Sequence, residues 1–131
     1  MLRKALEAKI NPLNQKIAAF LVRRNVTPNM LTFGGLVVNI FAALCFAGGF
    51  FKLAAILILI AGLGDMFDGA VARAANTVSK FGAFIDSVVD RYSDLIIFSG
   101  LLIYYLRNDN PLYVIVTLFI IYGAFLISYI R

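Results

Sequence analysis

The spacing of apolar positions changes along the chain, and each change predicts an element. Leu2, Leu6 and Ile10, then Leu13, Ile17, Phe20 and Leu21, recur every three or four positions opposite lysines and arginines. Such a stripe predicts an amphipathic helix over residues 1–26 lying in a membrane interface, restarted at Asn11 and Pro12 because proline interrupts the helical hydrogen-bond ladder. Thr27, Pro28 and Asn29 end it, and residues 30–50 carry no charge. About 20 residues at about 1.5 Å each cross a hydrocarbon core of about 30 Å, so this stretch predicts the first transmembrane helix. Gly48, Gly49 and Lys52 mark its far side.

A second span starts near Phe51 and is apolar through Leu63, roughly two-thirds of a crossing. Asp65 and Asp68 follow, which places them in the cytoplasmic third of the membrane. The third span, residues 81–106, mirrors it: Asp86, Asp90 and Asp94 come early and the uncharged run 95–106 comes late. Residues 74–79 form the short loop between these antiparallel helices, so their polar ends meet at one face. Residues 107–111 make a polar turn, and an uncharged fourth span covers 112–130. The predicted fold is therefore an all-α integral membrane protein: one domain over residues 1–131, with a juxtamembrane helix (1–26) and four transmembrane helices (30–131). Glycines inside the spans, among them Gly34, Gly35, Gly62, Gly64 and Gly100, predict close helix packing.

Composition narrows the chemistry. With 62% hydrophobic and 15% charged residues, the chain is too apolar for a small soluble domain. It has no histidine and one cysteine, Cys45, which excludes a Cys/His zinc site and an internal disulfide. Any metal must be held by oxygen. The net charge of +5 lies in residues 1–29, where Arg3, Lys4, Lys9, Lys16, Arg23 and Arg24 oppose only Glu7. Such a flank suits anionic headgroups rather than nucleic acid. Arg73, Lys80 and Arg131 fall on the same predicted side, the cytoplasmic one, while Lys52 and Arg107 fall outside.

Residues 64–94, GDMFDGAVARAANTVSKFGAFIDSVVDRYSD, carry the chemistry. Asp65 and Asp68 are three apart and Asp86 and Asp90 four apart, so each pair projects from one helix face. If the two helices pack side by side, these faces converge. Four carboxylates within about 5 Å cannot all stay ionised beside a single arginine, and one or two divalent cations resolve the conflict. All-oxygen ligation favours Mg²⁺ or Mn²⁺ over Ca²⁺, and open positions on such ions usually serve phosphate groups. Gly69 lets a ligand approach the backbone, and Arg73 suits a phosphate.

The pattern D-x2-D-G-x2-A-R-x8-G-x3-D-x3-D is met by Asp65, Asp68, Gly69, Ala72, Arg73, Gly82, Asp86 and Asp90. It resembles the signature of the CDP-alcohol phosphotransferases, also called CDP-alcohol phosphatidyltransferases, and Thr27-Pro28-Asn29 with Leu31-Thr32 resembles the segment before their first span. The resemblance implies a phospholipid-synthesising transferase that moves a phosphatidyl-type group from a CDP-linked lipid such as CDP-diacylglycerol to an alcohol, with release of CMP. It also implies two metal ions bridged by Asp65 and Asp86, with Asp68 completing one and Asp90 the other. Asp90 would act as the base toward the acceptor hydroxyl. Gly69, Ala72 and Arg73 would hold the cytidine diphosphate, with Pro28, Asn29, Thr32 and Ser79 as further candidates. The run Asp86-Ser87-x-x-Asp90-Arg91-x-x-Asp94 is more like the branch using inositol phosphate than the one using glycerol 3-phosphate; Arg91 and Asp94 also have the spacing of an intrahelical pair. A homodimer is implied, as are two further helices beyond Arg131, since the family usually has six. A different class, a non-catalytic membrane protein or truncated partner whose acidic cluster binds cations, would need the aspartates but not Gly69, Ala72 and Arg73.

Overall fold

Two hydroxyl-bearing residues set where the central helices begin. Thr27 is extended (φ −89°, ψ 154°) and its side chain accepts a hydrogen bond from the Met30 amide at 3.3 Å, while Pro28, which lacks an amide hydrogen, fills the first helical position. Ser79 does the same for a later helix, accepting from the Gly82 amide at 2.9 Å. The computed structural model describes residues 2–130, and side chains from residue 12 onward. It contains helices α1 (Leu2–Arg23), α2 (Pro28–Ala47), α3 (Phe51–Ala74), α4 (Lys80–Arg107) and α5 (Pro111–Ile130).

α1 runs unbroken through Pro12. The expected restart at Asn11 and Pro12 is absent, because a proline removes one hydrogen bond from the ladder while the turns on either side continue it. The face of α1 that docks is set by Ala18, which is 1% exposed and packs on Ala70 and Val71 of α3 beside Leu21, Val22 and Leu31. Leu13 and Phe20 of the predicted stripe stay exposed, and Arg24 lies 5.4 Å over the Phe20 ring. The stripe's Leu2, Leu6 and Ile10, the early charges Arg3, Lys4, Glu7 and Lys9, and Arg131 lie outside the described side chains.

By length and apolarity, α2, α3 and α5 qualify as membrane spans. α4, with 28 residues, is longer than any of them but carries Lys80, Asp86, Asp90, Arg91 and Asp94 in its first half, so composition alone does not mark it. Packing brings it into the bundle regardless, against α2. The interior is lined by small side chains, with Ala42 and Ala54 fully buried and Ala43, Ala61 and Gly35 nearly so, while Leu44, Leu59 and Phe119 are more than 60% exposed. This inside-out distribution suits a bilayer, where helices associate by close backbone approach and large apolar groups face lipid. Among the glycines, Gly35 and Gly100 stand at such approaches, whereas a side chain on Gly34, Gly62 or Gly64 would meet nothing within 4 Å. Close packing therefore explains only the former two.

α2 is the centre. It packs along both α3 and α4, α5 packs on α4, and α1 on α3, but α3 and α4 share no backbone contact. The expected side-by-side α3–α4 hairpin is thus replaced by a wedge with α2 between its arms. The reason lies at Gly100, where α4 presses onto the Ala43 backbone of α2. At the end of the bundle away from α1, Phe51 and Tyr104 meet edge-on at 4.8 Å and Tyr105 stacks on Tyr113 at 5.0 Å. Aromatic clusters of this kind sit where a bilayer meets water.

Candidate active site

Splaying α3 from α4 opens a cavity of about 520 Å³ at the α1 end of the bundle. Its lining comes from the start of α2 (Pro28, Asn29, Thr32), the end of α3 (Asp68, Gly69, Ala72, Arg73) and the loop and start of α4 (Ser79, Gly82, Asp86). All the site residues expected from sequence lie there except Asp65 and Asp90. Thr27 of the segment before α2 lines it too, as do Thr77, Val78, Phe81 and Ala83, which were not singled out. Proximity to the motif was the one available signal for them.

Asp68 is the most enclosed carboxylate, 7% exposed, and its Oδ2 accepts a hydrogen bond from Thr32 Oγ1 at 3.1 Å. Thr32 is 5% exposed, and its single hydroxyl proton is shared with the Pro28 carbonyl at 3.2 Å. This joins the cap of α2 to the acidic end of α3. Asp65, one turn deeper, turns toward α2: a Cβ placed on Gly35 would lie 3.1 Å from Asp65 Oδ1. The absence of a side chain at Gly35 thus leaves room for the Asp65 carboxylate as well as for helix packing. Asp86 and Asp90 are half-buried on α4. Asp65 lies within electrostatic reach of Asp90, Asp68 and Asp86, and Asp86 lies against Asp68.

The four carboxylates thus face one another, yet they do not crowd as tightly as expected. Among the described residues, no three acidic or cysteine side chains stand close enough to enclose an ion as they are placed. The wedge keeps α3 and α4 apart, Thr32 holds Asp68, and Asp65 points at Gly35. The donor set nevertheless fits a hard divalent cation, being all carboxylate oxygen. Among the described residues the one ion pair joins Arg91 to Asp94 at 3.4 Å, so none of the four is matched by a cationic side chain. Arg73 approaches Gly69, its guanidinium 3.6 Å from where a Cβ would sit, and faces the cavity beside the glycine's open backbone.

Ser79 plays a local part, its hydroxyl being engaged as the cap of α4. Arg91 and Asp94 form the intrahelical pair their spacing allowed, with both side chains nearly half exposed.

A family model described as CDP-alcohol phosphatidyltransferase matches residues 25–131. The chain belongs to this family. Among its curated relatives, the archaetidylinositol phosphate synthase of Pyrococcus horikoshii is 34% identical over 96% of this chain and 64% of its own. The solved phosphatidylinositol phosphate synthase of Mycobacterium tuberculosis, in complex with manganese and citrate, superposes with a TM-score of 0.83 at 36% identity, covering 90% of this chain and 57% of that one. The same enzyme with CDP-DAG bound gives a TM-score of 0.82 at 35% identity, covering 92% and 61%. The chain therefore spans somewhat less than two-thirds of the length of these relatives. It is an integral membrane member of the family, with a phosphatidylinositol phosphate synthase as its structural neighbour.

Proposed function

We propose that this chain forms the donor-binding and metal-holding part of a transferase that moves a phosphatidyl-type group from CDP-diacylglycerol, or a similar CDP-linked lipid, to inositol phosphate and releases CMP. The observation that carries this reading is the cavity itself. It gathers Gly69, Ala72 and Arg73, which a nucleoside diphosphate needs and a bare cation site does not, beside Asp68 and Asp86. Asp65, Asp68, Asp86 and Asp90 would hold two Mg²⁺ or Mn²⁺ ions. When bound, these ions would neutralise the diphosphate and the departing CMP.

Each protein group then has a distinct task. Gly69 and Ala72 admit the cytidine diphosphate to the helix backbone, and Arg73 pairs with its phosphate. Pro28 and Asn29 border the nucleotide, while Thr32 holds Asp68 in place. Asp90 takes the proton from the acceptor hydroxyl. The freed oxygen forms a bond to the phosphorus that carries the lipid, and the bond from that phosphorus to CMP breaks, CMP leaving with the electron pair. The lipid chains lie in the bilayer beside α2 and α3, and the site faces the cytoplasm, a reading supported by the basic flank of α1. A homodimer in the membrane is part of the same proposal.

Inositol phosphate is favoured as acceptor by the names of the relatives, among which glycerol 3-phosphate finds no support. The test is CMP release from labelled CDP-diacylglycerol by membranes containing the protein, with Mn²⁺ and each acceptor in turn. Release that depends on inositol phosphate and on Mn²⁺, and that is lost in Asp90→Asn, is expected. Unchanged release from Asp90→Asn, or none with any acceptor, would refute it.

A further inference from the structure

Among the described residues, five polar side chains are buried in the bundle, and the amide oxygen of Asn39 is enclosed there without a partner. Thr32 and Asp68 bond each other, and Thr117 donates to the Tyr113 carbonyl at 2.7 Å. Asn39 of α2 is 6% exposed, and its Oδ1 is enclosed with no hydrogen-bond donor in reach. An amide oxygen left bare in an apolar interior costs on the order of 1–3 kcal/mol, so its place calls for a partner.

Helix geometry narrows the place of that partner. Asn39 lies four residues after Gly35, so both occupy the same face of α2, one turn apart. Side chains on a helix lean toward its N-terminus. On α2 that direction carries the Asn39 amide back toward Gly35 and the α1 end of the bundle. α3 runs the opposite way, so Asp65 leans deeper, toward Asn39. Between them is Gly35, against whose bare Cα the Asp65 carboxylate packs: a Cβ there would stand 3.1 Å from Asp65 Oδ1. α4 runs parallel to α2 and meets it where Gly100 presses on Ala43. Counting back along both helices from that crossing brings Ser93, 7% exposed, level with the gap between Gly35 and Asn39.

We infer that Asn39, Asp65 and Ser93 enclose one bound water at Gly35, and that through it Asn39 is a positioning residue for Asp65. A buried water typically has two to four polar partners, and the niche supplies three from three different helices. The water donates to the Asn39 oxygen and to the Asp65 carboxylate, while the Ser93 hydroxyl donates to it. Asp65 is thereby held in its place against α2 at Gly35. The inference rests on the metal-holding function proposed above.

The test measures Mn²⁺ binding alone, without lipid or acceptor, by electron paramagnetic resonance of the purified chain in nanodiscs. Partners of metal-ligating groups typically contribute 10- to 100-fold in affinity. Asn39→Leu, similar in shape but without the oxygen, should weaken Mn²⁺ by about that factor, and Gly35→Ala, which fills the niche, should do the same. Asn39→Asp keeps an acceptor oxygen and should bind Mn²⁺ at least as tightly as the unaltered chain. If Asn39→Leu fails to fold, Ser93→Ala decides, since it removes the donor to the water without touching Asp65 and should weaken Mn²⁺ likewise. Mn²⁺ affinity indifferent to Asn39→Leu and Gly35→Ala would overturn this inference alone, and so would equal weakening by Asn39→Leu and Asn39→Asp. Failure of the unaltered chain to bind Mn²⁺ would overturn the proposed function and this inference with it.

Discussion

Replacing Gly100 by alanine should pry α4 from α2 and disturb a site several turns away. A Cβ at Gly100 would stand 2.8 Å from both Cα and the carbonyl carbon of Ala43, and nearer still to its oxygen. Carbon atoms rest at about 3.5–4.0 Å, so the helices must separate locally by roughly 1 Å. The obstacle is backbone, which has no rotamer to change. Overpacking of this kind costs about 1–3 kcal/mol, and the value at a backbone crossing should lie near the top of that range. Alanine returns about 1 kcal/mol through its better helix propensity. The net is a loss of about 2 kcal/mol, roughly a 30-fold change in the folded-to-unfolded ratio. Asp90 lies ten residues back on α4, about 15 Å along the axis, so a separated crossing also shifts Asp90 and Asp86 relative to α3. A misplacement of about 1 Å costs on the order of 100-fold in rate where geometry governs catalysis. Reversible unfolding in mixed micelles measures the first effect and CMP release the second. Gly34→Ala is the control, because nothing lies within 4 Å of its added methyl; it should leave stability unchanged or slightly raised. Gly100→Ala indistinguishable from Gly34→Ala in both assays would refute the wedge in which α2 separates α3 from α4.

Thr32→Val removes the hydroxyl that bonds Asp68 while keeping the side-chain shape. A hydrogen bond to a charged group contributes about 1.5–3 kcal/mol, so kcat/KM for the CDP-lipid should fall by 10-fold or more, with recovery in Thr32→Ser; an unaltered kcat/KM would show that the contact does not position Asp68. Arg91→Ala breaks only an exposed intrahelical pair and should change unfolding free energy by less than about 0.5 kcal/mol. A larger loss would mean that Arg91 has a partner beyond Asp94.

Much of the architecture was legible because a bilayer simplifies the reading. Charges are excluded from the hydrocarbon, so the uncharged run 30–50 and the turn at Arg107 to Pro111 marked helix boundaries to within a few residues of α2, α4 and α5. Thr27 and Ser79 were legible as punctuation for a similar reason, since a hydroxyl before a helix satisfies its free amides. The cavity was legible as a motif, since the fold does bring Pro28, Thr32, Asp68, Gly69, Ala72, Arg73 and Asp86 together there. Asn39 was passed over, because a single asparagine in an apolar run looks like any tolerated polar residue until its burial is known.

By itself, then, the order of residues determined the number of helices, their approximate bounds and most of the residues that line the cavity, all of which depend on hydrophobicity and local spacing. Tertiary structure alone decided which helices touch. That depends on where small residues on separate segments come together, and only at Gly100 against Ala43 and at Gly35 against Asp65 does it become plain that α2 stands between the two acidic helices. A short loop between α3 and α4 suggested that they would pair; the close approach permitted by two glycines was worth more, and the cavity exists because of it.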